Sequence, residues 1–222
     1  MSSVNPTDHF SLFRERHSVR YFDASHKLSE QEIKELLNIA GSAPSSWNLQ
    51  HWKFVAFTEA AAKEKLLPVA NGQKQVVDAS VTIAILGDLE AGRNAETVYG
   101  PVIRAGLEDA YAGYRSHQAL FDQIEEAYAV SESSSYRRDE AIRNASLAAM
   151  QLMLAVKAMG LDSGPMVGFD ADAFVKAFHV PPRYVPVLLV AIGKAAKPAR
   201  ATSRFPVEDT IVWNGFELDS DL

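Results

Sequence analysis

The sequence contains no cysteine among its 222 residues. Disulfides, thiolate metal sites, iron–sulfur clusters and a cysteine nucleophile are therefore excluded, and any redox chemistry must come from a bound cofactor. Long apolar runs are missing too. Met1 to Pro6 has no apolar h-region, and the most apolar helical stretch, about Ala145 to Met159, is short for a bilayer and carries Gln151 and Lys157. A soluble cytoplasmic protein without a membrane partner is expected. There is no basic run: the formal net charge is -6 and the Lys and Arg residues are dispersed. That argues against nucleic acid as a partner and still allows a locally positive pocket.

Several catalytic signatures are absent as well. No GxGxxG follows a strand, and GxxxxGK[ST], HExxH and GxSxG do not occur; the usual dinucleotide, P-loop, zincin and serine-hydrolase readings lack their local motifs. The six His residues fall without ligand spacing, so no metal site is expected.

What is present is apolar character at 47 %, enough for one substantial core, with no composition break; residues 1–222 read as a single domain. A short amphipathic helix, about Asp8 to Glu15, opens the chain. A second begins at Ser29, with Glu32 three residues on at capping-box spacing, and ends at Gly41 and Pro44. Lys53 to Thr58, Val81 to Leu86 and Val185 to Ile192 are continuous apolar runs, read as strands of a sheet covered on both faces. A helix is expected over Ala60 to Leu67. From Arg104 to Tyr128 an aromatic stripe including Tyr111, Tyr114 and Phe121 recurs at helical spacing. Asp139 to Met159 reads as a long central helix with small residues at Ala145, Ser146, Ala148 and Ala149, and Thr210 to Trp213 in the tail is β-like. Strands separated by helices imply an α/β or α+β sheet.

Three polar features stand out. Arg16-His17-Ser18-Val19-Arg20, if extended, turns Arg16, Ser18 and Arg20 to one side, two guanidinium forks flanking a hydroxyl as in a phosphate clamp. The alternative is a pair of cations favourably placed behind a helix C-terminus. Pro44 to Gln50 and Asn71 to Gln75 gather hydroxyls and carboxamides, which suit a heteroaromatic edge of alternating C=O and N–H or else serve ordinary turns. Gly164-Pro165-Met166-Val167-Gly168 follows an expected strand and lets backbone approach a flat ligand, with Asp170 as N-cap of the next helix.

Taken in order, Arg16 to Phe22, Ala43 to Trp52, Gly164 to Asp170 and Ser203-Arg204 resemble the FMN-dependent nitroreductase family over nearly the whole chain. The resemblance implies an α+β fold, a central mainly antiparallel mixed sheet flanked by helices, in an intertwined homodimer whose C-terminal tail is exchanged onto the partner. It implies that Arg16 and Ser18, with Arg204, hold the FMN phosphate, that His17 between them is cofactor-binding, and that Arg20 serves the N1 and O2 edge of the ring. Pro44, Ser45, Ser46 and Asn48 would come from the other subunit. Pro165, Met166, Val167 and Gly168 would line the ring, with the Val167 N–H toward N5, and Gln73 and Gln75 would serve the ring edge. Many members have an acidic residue where Val167 stands, and some have a second basic phosphate ligand where Thr202 stands. The implied activity is a ping-pong NAD(P)H oxidoreductase acting on a small-molecule electron acceptor, nitroaromatic or quinone-type. The alternatives are the same flavin site used for dehydrogenation, dehalogenation or flavin fragmentation, or flavin binding without turnover.

Overall fold

The structure, a computed structural model, describes residues 6–104, 117–130 and 135–216. Helices α1 (Pro6–Glu15) and α2 (Glu30–Ala40) precede β1 (Trp52–Phe57). Then come α3 (Ala60–Val69), α4 (Gln75–Asp78), β2 (Val81–Asp88), α5 (Ala95–Arg104) and α6 (His117–Val130). Helix α7 (Tyr136–Ala158), β3 (Asp162–Met166), α8 (Ala171–Phe178) and β4 (Tyr184–Gly193) complete the elements. Tyr111 and Tyr114 of the aromatic stripe lie outside the described residues.

The four strands form one sheet in the order β1-β2-β4-β3, antiparallel at every pairing. Because successive side chains on a strand point to opposite faces, β2 and β4 divide their apolar residues between two cores. Ala84, Leu86, Leu189 and Ala191 join Phe57, Leu66 and Phe174 on one face. Val81, Ile83, Ile85, Leu188, Val190 and Ile192 meet Ile33, Leu36 and Leu152 on the other. Each fully buried Leu or Ile contributes about 1.5–3 kcal/mol relative to an exposed one. Strand β2 is buried along its whole length, as its unbroken apolar run implies, whereas β1 is an edge strand with Lys53 and Ala56 exposed.

Helix α7 lies across the second face. Its alanines, Ala141, Ala145, Ala148 and Ala149, are buried, and small side chains let a helix sit low on a sheet. The approach is close enough that a Cβ added at Gly87 of β2 would lie 2.9 Å from Ala141. Against α7 packs α2, which starts as its sequence dictates: Ser29 Oγ accepts from the Glu32 N–H and the Glu32 carboxylate accepts from the Ser29 N–H.

Three expectations need correction. Gly164 to Met166 belongs to an edge strand, not to a turn after one, because the segment Asp162–Met166 pairs with β4 from Asp162↔Gly193 to Met166↔Leu189. Gln75, expected within the polar Asn71 to Gln75 stretch, opens a short helix, Gln75–Asp78. Thr210 to Trp213 forms no strand within the chain, and every residue from 200 to 216 is exposed, Phe205 at 81 % and Trp213 at 76 %. Among the described residues the tail pairs with no strand of the sheet.

Candidate functional site

The segment after α1 is drawn onto the free edge of the sheet. The Arg16 N–H still donates to Leu12 O at 3.2 Å, so extended backbone begins only at Ser18. Ser18 makes a parallel bridge to Ser163, and the Val19 N–H donates to Ser163 O at 2.9 Å. Val19 is buried while Ser18 and Arg20 stay exposed, as alternation requires. His17 does not follow Val19 inward, since regular pairing has not begun at that point. The glycine at 164 has a specific cause: a Cβ there would lie 2.3 Å from the Val19 carbonyl oxygen. Gly164 thus lets the Arg16–Arg20 segment pack directly against β3.

Beyond β3 the backbone opens. Val167 is 77 % exposed, and a Cβ at Gly168 would meet nothing within 4 Å. The Gly168 carbonyl is held from the side by two amides, Asn71 Nδ2 at 2.9 Å and Gln73 Nε2 at 3.0 Å, and the Asp170 N–H donates to Val69 O. Gln73 Nε2 also donates to Ala70 O, and Gln75 Nε2 reaches Gln73 Oε1 at 3.5 Å. Asp170 caps α8 through Ala173, as its sequence position implies. Arg16–Arg20 is joined to β3 through Ser18 and Val19, and Asn71–Gln75 holds the main chain just beyond β3 through the Gly168 carbonyl, so both segments attach to an open ledge at the β3 edge where Arg20, Val167 and Gly168 are exposed.

Pro44 to Gln50 lies elsewhere. It leads into β1, the opposite edge of the same sheet, three inter-strand steps or about 14 Å across. Its backbone is unusual: Trp47, Asn48 and Gln50 have φ of 48, 52 and 54°. Left-handed backbone costs a non-glycine residue roughly 1–2 kcal/mol, and such outliers persist only where their surroundings fix them. The surroundings here are well supplied. Asn144 Oδ1 accepts from the Ser46 N–H at 2.8 Å, and Ser46 Oγ donates to Glu140 Oε2 at 2.5 Å. Tyr99 donates to Trp47 O, Asn94 Nδ2 to Leu49 O, and the Gln50 N–H to Ser45 Oγ. Arg183, paired bidentately with the buried Asp88, also donates to Asn94 and so braces the loop from behind.

Under this loop sits a buried pair. His51 Nε2 and Tyr128 Oη are 2.7 Å apart, and His51 is fully buried. Burial pushes the His51 imidazole down to about 4, only partly offset by the Asp88 carboxylate, and pushes the Tyr128 phenol up. A cleft of about 390 Å³ beside Tyr128, lined also by Glu90, Arg93, Glu125 and Arg137, takes none of the residues expected to bind the cofactor.

The tail keeps Arg204 apart. Its guanidinium donates to Thr202 Oγ1 at 2.9 Å and Ser203 O at 2.8 Å, within the tail itself. Sequence reasoning missed Glu140, Asn144 and the His51–Tyr128 pair. The signal for the first two was present: two polar residues one turn apart on a helix that is otherwise apolar at those positions.

Comparison with known proteins adds to this geometry. The sequence profile described as the Nitroreductase family matches residues 13–194. The chain is 44 % identical over 207 residues, 93 % of its length and 99 % of the relative's, to YodC of Bacillus subtilis (strain 168), named provisionally as an NAD(P)H nitroreductase. It is 32 % identical over 193 residues to the CLA biosynthesis enone reductase of Lactiplantibacillus plantarum, covering 86 % of this chain and 87 % of that one. Among solved structures, one from Exiguobacterium sibiricum in complex with FMN superposes with a TM-score of 0.81 at 31 % identity, covering 96 % of this chain and all of that one.

Proposed function

The chain belongs to the nitroreductase family, and from that premise we propose that it is an FMN-dependent NAD(P)H oxidoreductase that passes electrons to a small conjugated acceptor. The observation that carries the reading is the ledge at the β3 edge, where Arg16 to Arg20 is pinned against Gly164 beside the open backbone of Val167 and Gly168. The donor set suits FMN. Guanidinium groups match a phosphate bidentately, and exposed main chain beside a glycine accepts a flat ring closely.

In this reading Arg16, His17 and Ser18 bind the phosphate end together with Arg204 of the tail, and Pro165, Met166, Val167 and Gly168 line the ring. Gln75 and the remaining carbonyl of Gln73 serve its pyrimidine edge. Bound there, FMN would supply two-electron hydride chemistry between NAD(P)H and the acceptor, in a ping-pong cycle. Arg20 would be the electrostatic catalytic group: placed at the N1–O2 edge, its permanent cation would stabilise the negative charge that reduction puts there. The Val167 N–H orients the N5 edge, and Asn71 and Gln73 fix that stretch of main chain by holding the Gly168 carbonyl. No side chain has to act as nucleophile. Nitroaromatics and quinones are the acceptors proposed. The enone reductase relative favours conjugated carbonyls as members of the same class.

A homodimer completes the site. Pro44, Ser45, Ser46 and Asn48 stand at the far edge of the sheet from Val167, so a second copy has to bring that loop to the ledge. The exposed apolar residues of the tail, among them Phe205 and Trp213, and of α1 and α7, among them Phe13 and Leu147, give such a dimer its contact surface. Titration of the protein with FMN tests the assignment. Flavin fluorescence should be quenched on binding and the protein should elute as a dimer, with Arg16→Ala weakening binding about tenfold or more, as expected for losing one charge-assisted hydrogen bond. Absence of quenching by the wild type, or unchanged affinity in Arg16→Ala, would overturn it.

A further inference from the structure

We infer that Glu140 and Asn144 of α7 are positioning residues for FMN, acting through Ser46; the inference rests on the reading in which the Pro44–Asn48 loop faces the cofactor of the partner subunit. Glu140 is 5 % and Asn144 1 % exposed, both on the helix that forms the floor of the second core. Their bonds leave each atom a single role. Asn144 Oδ1 accepts from the Ser46 N–H, while Asn144 Nδ2 donates to Glu140 O at 2.7 Å and Glu140 Oε2 at 3.1 Å, which sets the orientation of the amide. Glu140 Oε2 takes the Ser46 hydroxyl proton and Oε1 is paired with Arg143.

Two consequences follow from this arrangement. Three donors converge on the carboxylate, Ser46 Oγ and Asn144 Nδ2 on Oε2 and Arg143 on Oε1, so its part is to hold the loop. The Ser46 hydroxyl donates its one proton to Glu140 and accepts from Asn144 Nδ2 at 3.4 Å; toward the cofactor Ser46 therefore presents its remaining lone pair only. Its partner must be a donor, and on FMN the donors are the ring N3–H and the ribityl hydroxyls. The three left-handed residues immediately downstream, Trp47, Asn48 and Gln50, depend on the same anchor, since Ser46 opens the turn in which they lie.

The test compares full-length wild type with Ser46→Ala, Glu140→Gln, Asn144→Ala and the Ser46→Ala/Glu140→Gln double variant. The Kd for FMN is read by fluorescence quenching, the flavin environment by visible circular dichroism, and folding by far-UV circular dichroism at the same temperature. Glu140→Gln offers its own N–H₂ toward Ser46 and frees the serine proton. It should raise the Kd about tenfold, the scale of one charge-assisted hydrogen bond, and alter the flavin dichroism while secondary structure is kept. The double variant should be no weaker than the weaker single, because both changes act through one bond. Asn144→Ala, which leaves the carboxylate and removes the acceptor for the Ser46 N–H, should weaken FMN as well, and it serves if Glu140→Gln does not fold. If Ser46→Ala weakens FMN but Glu140→Gln and Asn144→Ala bind it with wild-type Kd and dichroism, the positioning role is overturned and the site reading survives. If Ser46→Ala and Arg16→Ala both leave the Kd unchanged, the site reading itself fails, and this inference with it.

Discussion

Replacing His51 with Gln should remove a loss of stability that the wild type suffers as pH falls from about 7 to about 5. His51 is fully buried against Tyr128, and burial holds its imidazole at about 4 when folded against an ordinary 6.5. The folded value lies below the unfolded one. Above about pH 6.5 both states carry a neutral ring and the group contributes no pH dependence; below it the unfolded chain takes up a proton that the folded chain refuses, so stability falls until about pH 4. The gap between 6.5 and about 4 corresponds to about 3.4 kcal/mol in full, of which about 1.8 kcal/mol is lost between about pH 7 and pH 5. For a chain of this length that is a fall in Tm of about 4–8 °C. Thermal melts of wild type and His51→Gln at one protomer concentration, at both pH values, isolate the effect as the difference between the two pH responses. Equal pH responses in the two proteins would refute the reasoning. So would a ring NMR signal of His51 that titrates near its ordinary value in the folded wild type.

Gly164→Ala places a methyl group 2.3 Å from the Val19 carbonyl, a backbone atom that has no rotamer to retreat to. We expect a loss of about 1–3 kcal/mol or more in urea unfolding together with weakened FMN retention, and an unchanged Cm would contradict the close packing of Val19 on β3. Ser29→Ala removes the capping-box hydroxyl of α2, far from the ledge. It should cost about 1 kcal/mol in the same assay and leave the FMN Kd unaltered. Arg20→Ala should slow flavin reduction by NAD(P)H in stopped flow more than it weakens FMN binding, because the cation acts on charge that grows during reduction; equal losses in both would count against an electrostatic role.

Much of the frame was legible because single residues announce it. Ser29 and Glu32 bracket the start of α2, and the unbroken apolar runs of β2 and β4 are those of strands buried on both faces. The small residues of α7 mark a helix pressed onto the sheet. The edge strand Asp162–Met166 was hidden for a physical reason: Gly164 and Pro165 are poor strand formers, tolerated at an edge where one side needs no ladder partner. For the same reason Gly164 read as room for a ligand, whereas the atom that needs the room is the Val19 carbonyl. The ledge joins residues 57 to 152 positions apart, Arg16, Gln73 and Gly168, and periodicity carries no information about contacts of that range. The left-handed backbone of Trp47, Asn48 and Gln50 was equally silent, since it is imposed by Glu140, Asn144, Asn94 and Tyr99 rather than by local preference.

The measurement that bears most directly on the central claim is the visible spectrum of the protein reconstituted with FMN and titrated anaerobically with NADH and with NADPH. The account predicts a yellow protein whose flavin absorbance is bleached by at least one of the two and restored on adding a nitroaromatic or quinone. A protein that fails to retain FMN, or whose bound flavin neither nucleotide bleaches, would contradict it.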